Sequence, residues 1–246
     1  MSNPFQGFIH DLKATHGKNL ASVILYGSAA AGDFVERRSN YNILIALHEI
    51  TPKELRNAQP ALREWAKMGH PIPVYFTVTE LHDAADVFPI EFHQMESIRK
   101  VLYGKDVLEG VAISDENLRH QTEYELRSKL IRLRRHYIPA SASVAGLEDL
   151  MAESLSSFAA LFRAVLLLHG VEPPPRKHAV VALTVEHLGL DGVPFEKIFN
   201  IRKNNFSEKL DEVSANDLFA GYMAQIEHVI EAVDKLRNTQ TGQGEN

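Results

Sequence analysis

Residues 23–47 read VILYGSAAAGDFVERRSNYNILIAL, and the fold of the whole chain turns on them. The first apolar run, from Leu20 to Tyr26, is rich in Val, Ile and Leu and breaks at Gly27-Ser28, which predicts a buried strand ending in a turn. After a short polar linker, Ser39-Asn40-Tyr41-Asn42 leads into a second apolar run and a second strand over Tyr41–Leu47. On a strand, Asn40 and Asn42 share one face because side chains repeat every two residues. Both amides therefore aim at one place.

This layout of strand, Gly-Ser turn, short linker and a strand opening with paired polar residues resembles the signature of the nucleotidyltransferase (polymerase β-like) superfamily. The resemblance is specific over residues 20–47, loose over 48–110, and only architectural beyond. It implies that Gly27 and Ser28 match a turn that admits a triphosphate close to the backbone, and that Gly32 matches a further small residue there. Ser39 matches the residue before the first metal-binding acid. Asn40 and Asn42 stand where the family carries Asp-x-Asp, the pair that holds Mg²⁺. Two neutral amides replace two carboxylates, and hard Mg²⁺ is held poorly by such a set. The alternative for Asn40 and Asn42 is that they cap the strand and hydrogen-bond the loop. The strand predicted over Pro73–Val78 brings no acid, which leaves Glu91 as the candidate third carboxylate and base. Its alternative is a surface or salt-bridged acid. Asp33 and Glu36 are close in sequence but belong to the linker rather than a strand.

The 246 residues suffice for one large or two small domains, and 45% hydrophobic with 24% charged residues is ordinary for a globular chain. A net charge of −6 gives no strong nucleic-acid signal. The absence of Cys excludes disulfides, thiolate metal sites and thiol catalysis, and fits a cytoplasmic setting. Pro4, Gly7 and Asp11 interrupt the N-terminal stretch before an apolar core develops, which predicts no secretory signal. Arg163 interrupts the most apolar stretch, so no membrane-spanning helix is expected. The twelve His show no metal spacing, those at 16, 48, 70 and 169 fall at element ends, and no metal site is assigned.

Alternation of element types continues to about residue 110. A helix is predicted over Pro4–Thr15, and Thr51-Pro52-Lys53-Glu54 starts a helix running to about Met68, with Thr as N-cap and Pro first. A short helical or irregular piece follows near Leu81–Val87, then an extended Pro89–Phe92 and a strand over Arg99–Tyr103. From Asp115 the chain reads as helices: 117–137, 144–169, 177–188, 195–201 and 214–237, with the rigid break Pro173-Pro174-Pro175 between the second and third. The fold class is α+β: a nucleotidyltransferase-like mixed-sheet domain over 1–112, an all-α helical bundle over 113–237 and a disordered tail over 238–246. Arg127, Lys129, Arg132, Arg134 and Arg135 crowd one helix; this reads as a solvated face or, alternatively, as a phosphate-contacting one.

Three functional readings follow. The first is a degenerate, non-catalytic nucleotidyltransferase fold that keeps a nucleotide- or small-molecule-binding turn. The second is an active transferase that takes Mg²⁺ and a nucleoside triphosphate and moves a nucleoside monophosphate to a small hydroxyl acceptor or a protein, with Asn40 and Asn42 as engineered replacements of Asp. The third is a helical scaffold that pairs with a second copy or a helical protein partner.

Overall fold

A computed structural model of the chain describes residues 4–27, 29–30, 41–202 and 210–241. It divides into two compact units, Met1–Asn117 and Leu118–Asn246.

The first unit is built on a four-stranded sheet of order β3-β2-β1-β4, where β1 is Leu20–Tyr26, β2 Asn42–Leu47, β3 Val74–Thr77 and β4 Arg99–Gly104. β1 pairs antiparallel with β2 and β4, while β2 and β3 run parallel. Parallel neighbours need a crossover, and α2 (Pro52–Asn57) and α3 (Gln59–Lys67) supply it. The sequence predicts one helix over 51–68; the structure interrupts it at Ala58, because Pro60 has no N–H to continue the ladder. The predicted N-cap holds, with the Thr51 hydroxyl accepting from the Glu54 N–H at 3.3 Å.

Alternation along β1 and β2 gives the sheet two buried faces. One carries Val23, Leu25, Ile43, Ile45 and Leu47 against Phe8 and Leu12 of α1 (Pro4–His16) and Trp65 of α3. The other carries Ile24, Leu44 and Ala46 against Leu81 of α4 (Val78–Asp83) and Phe92 and Met95 of α5 (Pro89–Ser97). Where the sequence predicts an extended segment over 89–92, the structure thus has a helix. Pro89 at its first turn needs no donor and has φ preset, so it starts the helix instead of limiting a strand.

Ser22 is fully buried and donates to the carbonyls of Lys105 at 2.6 Å and Tyr103 at 3.2 Å, which flank Gly104. Gly104 has φ 79°, and a Cβ there would run into the Ala21 carbonyl. Only glycine lets β4 lie this close to β1.

In the second unit α6 is Asp115–Ala140, α7 Val144–Leu168, α8 Lys177–Leu188, α9 Val193–Arg202 and α10 Glu212–Thr241. α10 continues to Thr241, into the stretch read as a tail; residues 242–246 lie outside the described ones. By length and composition α7 is apolar enough to cross a membrane, and half of that stretch is buried in this bundle. Its Phe158 meets Tyr222 of α10 edge-on at 6.3 Å, and its Phe162 meets Phe195 of α9 at 6.0 Å. Arg163, the charge inside α7, donates to the Pro174 carbonyl at 2.6 Å and so anchors the triple-proline segment. α6 is held along α10 by Tyr137, which stacks on Phe219 at 4.4 Å and donates to Asn216 Oδ1 at 2.6 Å.

Candidate functional site

The ends of the two central strands meet where Tyr26 of β1 pairs with Asn42 of β2. Beyond Tyr26 the chain enters Gly27 with φ 77°, a conformation that favours glycine. Both of Gly27's backbone groups are committed: its N–H donates to the Ile98 carbonyl at 3.1 Å, and its carbonyl accepts from the Ala30 N–H at 2.9 Å. Its N–H is therefore not left over as a phosphate donor. A Cβ on Gly27 would come within 3.3 Å of Asn42 Nδ2, so the Asn42 amide lies directly over the glycine.

Asn42 heads the residues of β2 that alternate with Leu44 and Ala46, and thus belongs to the α5 face of the sheet. Tyr26 packs on the same face. Burial raises the Tyr26 phenol above its ordinary pKa, and the Glu91 carboxylate adds to the shift. Glu91 is exposed and stands in the first turn of α5, not on a strand as the family pattern implies for the third acid. The structure thus sets Gly27 and Asn42 beside Tyr26, and the charge of Glu91 acts on the phenol. Ser28, Gly32, Asp33, Glu36, Ser39 and Asn40 lie outside the described residues. Tyr26 was missed by motif reading; its signal was period two, since it follows Ile24 on the face that Asn42 shares.

Arg99 pairs with Tyr26 in the sheet, yet it is spent locally, donating from Nε to Asp106 at 2.8 Å and from Nη1 to the Glu96 carbonyl at 2.6 Å. Phosphate charge at the turn therefore gains nothing from it. Among the described residues no group of three His, Asp or Glu has the geometry to hold a metal ion. Among the described residues, one amide and one exposed carboxylate do not fit the octahedral oxygen set that Mg²⁺ requires.

The opposite face closes differently. Tyr41, just before β2, lies 4.6 Å from the His70 ring and 4.8 Å from Phe5, while Trp65 stacks on Phe8 at 4.4 Å. His16, at the end of α1, has a fully buried side chain bonded through Nδ1 to Glu54 at 3.2 Å, so it ties α1 to α2 rather than merely ending a helix.

The strand order, the Gly27 turn and the helical second unit can be set beside a known enzyme. A spectinomycin adenyltransferase, AAD(9) from Enterococcus faecialis, solved with ATP and spectinomycin, superposes with a TM-score of 0.55 at 12% identity, covering 94% of this chain and 100% of that one. This is the nucleotidyltransferase fold. No protein-family model matches the chain, and no curated protein matches it by sequence. Within the nucleotidyltransferase fold, Gly27 and Asn42 lie at the ends of the central strands β1 and β2.

Proposed function

We propose that the chain is a nucleotidyltransferase-fold protein that binds a nucleoside triphosphate at the Gly27 turn without metal-dependent transfer. One observation carries the reading: the neutral Asn42 amide lies over Gly27, and β2, whose sequence is NILIAL, contributes no carboxylate there. A site short of carboxylates repels a triphosphate less than the family's does, but it lacks the metal clamp that stabilises in-line displacement. The ATP in the spectinomycin adenyltransferase structure supports the ligand class.

Calorimetry with ATP, with and without Mg²⁺, tests this. The expected result is binding that depends little on Mg²⁺ and no turnover. In Asn40→Asp/Asn42→Asp, Mg²⁺ should tighten ATP binding about tenfold or more, equivalent to ~1.4 kcal/mol. A double variant that gains no metal dependence would sink the assignment of the pocket.

A second reading has one observation in its favour, the exposed Glu91 in the first turn of α5, whose charge acts on the Tyr26 phenol. An exposed carboxylate at this end of the sheet is suited to accept a proton from an acceptor hydroxyl. Mg²⁺-dependent transfer of AMP by the unsubstituted chain, lost in Glu91→Gln, would establish this reading and overturn the first.

A further inference from the structure

The basic cluster of α6 is divided by its surroundings. Arg127 reaches Glu123 at 2.9 Å and Asp234 of α10 at 3.7 Å, and Arg134 donates to Glu227 of α10 at 2.6 Å. Those two charges are neutralised in pairs. Lys129, Arg132 and His136 turn instead towards α7, at the i, i+3 and i+7 spacing of one helix face. Arg132 and His136 make no hydrogen bond or ion pair with any described residue, and Lys129 has only Glu125, 4.0 Å away along its own helix.

Facing them, α7 presents Glu153, Ser154 and Ser157, and the two faces enclose a cavity of about 230 Å³. Adjacent helices ordinarily interdigitate apolar ridges and leave no such space. Glu153 forms no ion pair with the bases across the groove, so the charges line the space without closing it. The floor is fixed: Ser154 Oγ lies 3.1 Å from the hydroxyl of Tyr222, which is wholly buried. Leu133 and Phe158, both buried, give an apolar wall.

We propose that this α6–α7 groove binds a small organic anion, a carboxylate or phosphate monoester carried on an apolar group. Arg132 and Lys129 hold the anionic oxygens, since a guanidinium fork suits a carboxylate or phosphate and an ammonium adds a second charge. Ser157 donates its hydroxyl to the same oxygens. The apolar part rests on Leu133 and Phe158, and Glu153 accepts from a ligand hydroxyl or amine where one is present. The volume suits a molecule of about ten to fifteen heavy atoms, below the drug-sized range. The groove lies wholly within the second unit.

Calorimetry on the full chain with phenyl phosphate and with benzoate tests the proposal, using benzyl alcohol as the uncharged probe. Phenyl phosphate or benzoate should bind while benzyl alcohol does not. Arg132→Gln and Lys129→Gln should each weaken binding by about tenfold, as loss of a charge-assisted hydrogen bond does. Arg134→Gln, on the neutralised face, should leave it unchanged. Ser157→Trp should fill the groove and abolish binding in a chain whose circular dichroism matches the parent. Saturating ATP should not displace the probe. The proposal is overturned if neither anion binds the folded chain, if Arg134→Gln weakens binding as much as Arg132→Gln, or if ATP competes and loses affinity in parallel with the probe.

Discussion

The two faces of the first unit's sheet are made from the same two central strands, one residue out of phase, and they end in opposite ways. On the face ending at Tyr41, the apolar series closes under a cluster of Phe5, Trp65 and His70. On the face ending at Asn42, the series stops at an amide, a phenol and an exposed carboxylate. A single residue of phase separates an aromatic seal from a polar end. The same two strands serve both faces.

If that division is real, Trp65→Ala should be the most damaging change. It removes a fully buried indole that stacks on Phe8 and donates to the Pro71 carbonyl at 3.0 Å. Urea unfolding should show a loss of about 3–5 kcal/mol, and a loss below ~1 kcal/mol would mean that this face is not the seal. Gly27→Ala acts at the polar end. Its left-handed φ should cost about 1–2 kcal/mol, and the new methyl group presses on Asn42, so ATP affinity should fall more than stability does. Equal ATP affinity in the parent and the variant would remove Gly27 from the site.

The smallest effect concerns pH. Burial lowers the His70 pKa, so the folded chain holds the ring neutral where the unfolded chain would protonate it. The unfolded state then binds more protons, and stability rises with pH. The contribution is complete above about pH 6.5 and declines as the pH falls below that unfolded-state value. Urea midpoints between pH 5 and 7 should slope less in His70→Phe than in the parent, and an identical slope would take His70 out of the seal.

Much of this was legible from residues 20–47. Their alternation fixes the two faces, and Gly-Ser after an apolar run signals a positive φ. What stayed hidden depends on distant partners. The commitment of the Gly27 N–H to Ile98 follows from β4 pairing with β1, which no local pattern announces. Glu91 stands on a helix where the sequence predicts an extended backbone, because Pro-Ile-Glu-Phe is too short to show a helical period and Pro89 fits either reading. The divided basic cluster was equally unreadable, since Asp234 and Glu227, which pair with Arg127 and Arg134, come from the distant α10.

Gly104 makes a demand of a different kind. With the Ala21 carbonyl where a side chain would begin, every other amino acid at 104 must push β4 away from β1, and β1 ends at Gly27. In a library of all single substitutions selected only for ligand binding, position 104 should therefore tolerate nothing but glycine, although it contacts no ligand and lies at the far end of the strand pair from the turn.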